Sequence, residues 1–315
     1  NPITTAQLRI VKTDAESSEQ VPIAGTEFQI YHADTDELVT QTLTYPNPTT
    51  LSSFVTDESG AVTLPEELAY GRYYLVEINA PTGYLLSSQR VYFDVTGADT
   101  LVEVTQTDYP AKGTITVEKT GLSFTDVTET DSDYGTVYSP VFAEAGLSGA
   151  VFTITAAEDI YTANGTLQTE AGTVVGTLTT DETGTAVSEE LYLGKYSVQE
   201  TTAPEGYVLD DTAHEVELVY KDQNTNIVNE TVSLKNTWQR TYANIFKEAE
   251  IYIYDEDGNG NIAGTVRVNP GEGFTFGLFA DEDITLNSQV VISAGSLVAL
   301  GTTDKNGELT FDEYI

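Results

Sequence analysis

Tyr196-Ser-Val-Gln-Glu200-Thr-Thr-Ala-Pro-Glu-Gly-Tyr207 is the stretch on which the reading of this chain turns. Its first five residues alternate as a strand does, with Tyr196, Val198 and Glu200 on one face and Ser197 and Gln199 on the other. The apolar face therefore also carries a carboxylate. An earlier stretch repeats this, with Tyr73, Leu75 and Glu77 in phase, followed by Ala80-Pro-Thr-Gly-Tyr84. Both segments fit the pattern E-x-x-A-P-x-G-Y. Burying an unpaired carboxylate costs several kcal/mol or forces it to protonate, so an acid aimed inward twice needs a chemical partner.

The repetition extends upstream of these boxes. Thr56-Asp-Glu-Ser-Gly60 leads through Glu66-Glu-Leu68 to Glu77, and Thr180-Asp-Glu-Thr-Gly184 leads through Glu189-Glu-Leu191 to Glu200. Thr303-Asp-Lys-Asn-Gly307 begins a third copy. Ala24-Gly-Thr-Glu-Phe28 matches Ser148-Gly-Ala-Val-Phe152, and Gly149 to Ile160 matches Gly273 to Ile284. Such a period, roughly 110–130 residues, is that of one small domain per repeat. The expected units are 1–111, 112–238 and 239–315, the last incomplete at its C-terminal end. Residues 120–145, rich in Thr, Asp and Ser, read as a long surface insertion in the second unit. Runs such as Arg90-Val-Tyr-Phe-Asp-Val95 are β-branched and aromatic, and Asp, Gly, Asn and Pro clusters bound them. No segment sustains a helical period, so the expected fold class is all-β, with tandem β-sandwiches.

Composition narrows function. Fifty Asp+Glu against 13 Lys+Arg leave a formal charge of -37, which repels nucleic acid and anionic membrane surfaces. With 40% hydrophobic residues, 19 Tyr and 11 Phe, the chain is too apolar for a disordered acidic tail. It has no cysteine, which removes disulfides and thiol chemistry. The absence of methionine, a leader and a wall-sorting tail reads as a processed product or excised segment. No apolar run reaches membrane-span length, and no nucleophile elbow or phosphate loop is present.

A lysine in each unit's first strand shares the peculiarity of the glutamates. Lys12 is in phase with Leu8 and Ile10, and Lys119 with Ile115 and Val117. In the last strands, Asp108 is in phase with Val102 and Val104, and Asn236 with Val232 and Leu234. Each complete unit thus points a Lys, a Glu and an Asp or Asn inward. The plain alternative is a partly exposed Lys–Glu ion pair at a sheet edge, worth about 0–1 kcal/mol.

The E-x-x-A-P-x-G-Y boxes, taken with these lysines and last-strand Asx residues, resemble the B-type repeat domains of Gram-positive surface proteins, found in collagen adhesins and sortase-assembled pilins. The resemblance covers residues from about 8 to 238 and extends weakly into the third unit. It implies an Ig-like or prealbumin-like sandwich in an extended array. It also implies spontaneous isopeptide bonds, Lys12 to Asp108 assisted by Glu77 and Lys119 to Asn236 assisted by Glu200. Lys247, in phase with Ile245 and Ile251, is the third unit's candidate lysine. The implied role is a stalk or pilus-shaft segment at the cell wall, with neighbouring domains of the parent chain or pilus as partners. The alternative is an adhesin module that recognises a host protein or glycan through the 120–145 insertion or a sandwich face. No cofactor and no turnover are expected, since each bond would form once per domain.

Weaker signals are set against plainer readings. Asp255, Asp257 and Asn259 alternate as at the start of a calcium loop, but Val266 stands at position twelve where a glutamate belongs, so an acidic hairpin turn is the better reading. His32 and His214 have no ligand spacing around them and read as surface residues. Lys112, in Tyr109-Pro-Ala-Lys112, faintly resembles a sortase-linked pilin lysine and serves equally well in a linker.

Overall fold

The computed structural model describes residues 4–44, 47–256, 259–260 and 262–311, and all the regular structure among them is β. In the first unit, Thr5–Asp14 lies in one sheet, antiparallel to Ala61–Thr63 and Leu68–Ala69 and parallel to Leu101–Asp108. A second sheet runs in the order Phe54–Val55, Glu27–His32, Gly71–Asn79, Val91–Val95. The core between them includes Leu8, Ile10, Phe28, Ile30, Leu64, Tyr73 and Leu75. The alternation of Thr5–Asp14 is what buries Ala6, Leu8 and Ile10 on one face.

The second unit repeats this plan. Lys112–Ser132 pairs antiparallel with Thr185–Val187 and Leu191–Tyr192 and parallel with Ile227–Lys235. The facing sheet runs Val174–Thr179, Val151–Ala156, Gly194–Thr202, Ala213–Leu218. In both of these units the first and last strands are therefore parallel neighbours. Parallel neighbours need a long crossover, and here almost the whole unit provides it.

The recurring Thr-Asp-x-x-Gly turns join the two sheets. Thr56, Thr180 and Thr303 are buried, and their hydroxyls donate to the carbonyls of Ile23, Leu147 and Gly271. Asp57 and Asp181 accept from backbone N–H groups two residues on, and Gly60, Gly184 and Gly307 take φ of 73°, 80° and 75°. Each glycine carbonyl then accepts from the N–H of Lys12, Lys119 or Lys247. The turn thereby sets the depth of the lysine along its strand.

The 120–145 segment is not a loop. Lys112–Ser132 runs on past the sandwich and pairs antiparallel with Gly135–Gly146 around the two-residue turn Asp133-Tyr134. Its outgoing arm is exposed over much of 125–131, and its returning arm is largely half-buried. The third unit is built of Ala243–Phe246 with Glu308–Phe311 and Thr275–Phe279 with Leu297–Thr302. Glu248–Glu256 and Ile262–Pro270 form a further hairpin.

Candidate functional site

In the first unit, parallel register sets Lys12 beside Gln106, so Asp108 lies two residues further along the neighbouring strand, on the same face. Glu77 approaches from the opposite sheet, where it is paired with Phe28. Lys12 Nζ is 2.8 Å from Glu77 Oε1 and 2.5 Å from Asp108 Oδ1, and all three side chains are 0% exposed. That burial excludes the exposed edge ion pair. Glu77 Oε2 accepts from the Ser87 N–H at 3.0 Å, which fixes its rotamer.

The second unit has the same geometry. Lys119 pairs with Leu234, and Asn236 lies two residues on. Lys119 Nζ is 3.3 Å from Glu200 Oε1, with both side chains 1% exposed. Asn236 Nδ2 donates to the same Oε1 at 2.9 Å, and Glu200 Oε2 accepts from the Asp210 N–H at 3.1 Å. Lys119 Nζ also lies 5.5 Å from the Phe152 ring. Each centre thus combines an amine, a carboxyl in contact with it and an Asx side chain, sealed from water.

The electrostatics oppose a stable ion pair. Burial pushes the Glu77 carboxyl up to about 7, with Lys12 opposing the rise and Asp108 adding to it. Burial also raises Asp108, against the pull of Lys12. Lys12 Nζ, Glu77 Oε1 and both Asp108 oxygens lack partners of hydrogen-bond geometry, as does Asn236 Oδ1. A buried ion pair is favourable only when hydrogen bonds satisfy its remaining valences, and here they do not. The rise at Glu77 and Asp108 favours their protonated forms. A lysine attacks an acyl carbon as the neutral amine.

Sequence reasoning missed Asp14, Tyr84 and Tyr207. Asp14 is buried and accepts from the Tyr84 hydroxyl at 2.9 Å and from the N–H groups of Glu16 and Ser17. The Tyr207 hydroxyl donates to the Leu122 carbonyl at 2.6 Å. The terminal tyrosine of each box therefore clamps the chain just past the lysine, and its repetition was the available signal.

The other candidates are placed as follows. Lys247 is half-buried, 5.2 Å from the Phe274 ring, and holds the backbone position of Lys12 and Lys119. Asp257 lies outside the described residues; Asp255 is the penultimate residue of the Glu248–Glu256 strand and Asn259 lies in the turn that follows. No cluster of potential metal ligands occurs among the described residues. Lys112 is bound to Glu16 at 2.7 Å and lies over the Tyr192 ring. His32 and His214 are half-buried, His32 packing on Tyr73.

Fold and centre together define a class: tandem two-sheet modules whose parallel terminal strands meet at a buried Lys–Glu–Asx set. The model of the SpaA prealbumin-like fold domain matches residues 6–110 and 143–233, and the chain belongs to that family. Its fold is similar to that of the Bacillus anthracis TIE protein, with 21% identity and a TM-score of 0.56 over 98% of this chain and 43% of that one. This chain thus spans less than half the length of that protein. The minor pilin of Streptococcus agalactiae is 19% identical, with a TM-score of 0.28 over 75% of this chain and 97% of that one. For the shaft pilin of Lactobacillus rhamnosus GG the values are 16% and 0.25, over 75% and 98%. No curated protein matches this chain.

Proposed function

We propose that this chain is a structural stalk or pilus-shaft segment of a Gram-positive cell-surface protein, stiffened by self-formed bonds from Lys12 to Asp108 and from Lys119 to Asn236. The observation that carries the reading is the buried contact of each lysine amine with its glutamate, beside an Asx that the register places on the same face. The neutral amine attacks the Asx carbonyl carbon, and a C–N bond forms. The protonated glutamate gives its proton to the Asx carbonyl oxygen as the amine attacks, and takes the amine proton in its place. It passes that proton to the leaving group, and the proton on the carbonyl oxygen then returns to the glutamate. Water leaves from Asp108, and ammonia from Asn236. Each centre reacts once, so this is maturation rather than turnover.

The parallel arrangement explains the mechanical use. Tension entering at Thr5 follows the first strand to Lys12, crosses to Asp108 and leaves towards Lys112. It then follows the second unit's first strand to Lys119 and crosses to Asn236. The rest of each sandwich stays off this path, and without cysteine the path has no reducible link. Neighbouring domains of a longer parent chain are the partners this role requires, with the cell wall as its location.

Intact-mass measurement tests the proposal. The expected deficit is about 35 Da, the sum of one water and one ammonia lost in two condensations. A mass equal to that of the unmodified chain overturns it.

A further inference from the structure

Each unit carries its variable segment at one and the same point. In the first unit the Val21 N–H closes back on the Lys12 carbonyl at 2.9 Å, so Thr13 to Gln20 form a short excursion. In the second, the Leu147 N–H closes on the Lys119 carbonyl at 2.9 Å, and residues 120–146 form the long hairpin. In the third, the Gly271 N–H closes on the Lys247 carbonyl at 2.7 Å, and the antiparallel strands Glu248–Glu256 and Ile262–Pro270 lie between them. The lysine backbone is thus a fixed gate, through which segments of very different length leave the sandwich.

Both of the first two excursions reach the next unit. Glu16, within the first, accepts from Lys112 Nζ and from the Tyr192 hydroxyl, each at 2.7 Å. Those two donors are held together, because Lys112 and Tyr192 are register partners across their strands. The second excursion reaches further. Its Gly135–Gly146 arm meets Leu297–Thr302 of the third unit in parallel orientation at one paired position, Val137 opposite the buried Leu297. One seven-stranded sheet therefore continues out of the second sandwich, through the hairpin, and into the third unit.

The base of that hairpin is anchored on both sides. The Leu122 carbonyl accepts from the Tyr207 hydroxyl at 2.6 Å and also from the indole of Trp238, which lies in the link to the third unit. Phe142 of the returning arm packs on the Trp238 ring at 4.2 Å, and Lys235 bridges to Glu144 at 2.7 Å. A two-stranded ribbon alone is only marginally stable. Here the sandwich, the connecting tryptophan and the third unit's sheet each support it.

We infer that in the first two units the excursion after the buried lysine helps to set the joint with the next unit, and that the 120–146 hairpin is a brace holding the third unit at one orientation to the second. Domains joined by short linkers move relative to each other unless an interface prevents it. The first joint is held by the Glu16 contacts close to the linker, together with Gln223, whose side-chain and backbone oxygens accept from the N–H groups of Ala80 and Leu86 at 2.6 and 2.9 Å. The second is held by the hairpin, through the Val137–Leu297 pairing at its far part and the Trp238 contacts at its base. The inference stands whether or not the lysine bonds form, because it rests on backbone pairing and on contacts outside the two centres.

The absence of cysteine makes the test direct. Spin labels on the exposed positions Glu189→Cys and Glu282→Cys report the distance between the second and third units. The full chain is expected to give one narrow distance distribution. Two further variants carry the same labels. In the first, residues 120–146 are exchanged for Thr13 to Gln20. In the second, Val137→Asp keeps the hairpin and places a charge against Leu297. The distribution is expected to broaden by about twofold or more in both, towards that of units joined by a flexible linker. Retention of the narrow distribution in the Val137→Asp chain and in the exchanged chain overturns the inference.

Discussion

Replacing Glu200 by Gln removes the proton shuttle from the second unit and leaves the volume of the site almost unchanged. The new amide oxygen can still accept from the Asp210 N–H, which Glu200 does at 3.1 Å. Its NH2 group then faces Lys119 Nζ and Asn236 Nδ2, both now held at Glu200 Oε1. No group remains to take the amine proton or protonate the leaving ammonia, so Lys119 and Asn236 are expected to stay unlinked. The missing bond would have closed a loop of roughly 120 residues, worth about 5 kcal/mol on the chain-entropy account of cross-links. For a unit of this size that corresponds to a melting transition about 15–30 °C lower. Peptide mass mapping reads the link, and scanning calorimetry reads the transition. The first unit serves as an internal control, since its centre is intact and should remain linked. Recovery of the joined Lys119–Asn236 peptide at the wild-type yield would refute the role given to Glu200, whatever the calorimetry showed.

Other outcomes follow from the same geometry. Bond formation in the first unit is expected to slow as pH rises through about 7, where Glu77 loses its proton; the check is quenched mass spectrometry on freshly folded chain. The same shift makes the still unlinked first unit less stable in that range. The folded pKa of Glu77 lies above its ordinary 4.5, so its contribution is full below 4.5 and lost as pH rises through about 7. Gly121→Ala sets a methyl 2.7 Å from Leu147 Cδ1 and 3.0 Å from both the Asn236 carbonyl oxygen and Tyr207 Cε1. It should destabilise the second unit by about 1–3 kcal/mol, measured by denaturant unfolding. Lys247 is half-buried and should be acylated by an amine-reactive ester in the folded chain. Lys12 and Lys119 should stay unmodified, and peptide mapping distinguishes the three.

Much of the candidate site was legible because strand alternation is a local rule. Once Leu8 and Ile10 are core residues, Lys12 must share their face, and the same holds for Glu200 beside Val198. The hairpin was not legible. Its Thr, Asp and Ser residues suit a ribbon that buries few side chains fully, and that composition is also the signature of a loop. Asp14 was missed for a different reason: one aspartate in a polar run carries no mark of the tyrosine, 70 positions away, that buries it.

The sequence by itself determined the all-β class, the repeat, and the inward phase of Lys12, Glu77, Asp108, Lys119, Glu200 and Asn236. All of these rest on periodicity along the chain. Only the tertiary structure decided that the first and last strands are parallel neighbours, with each Asx two residues beyond its lysine's partner. It alone decided that the glutamate crosses from the facing sheet, and that the excursion after Lys119 joins the sheet of the next unit. Register between strands about a hundred residues apart depends on how two cores pack, and a one-residue slip would turn every one of these side chains to the other face.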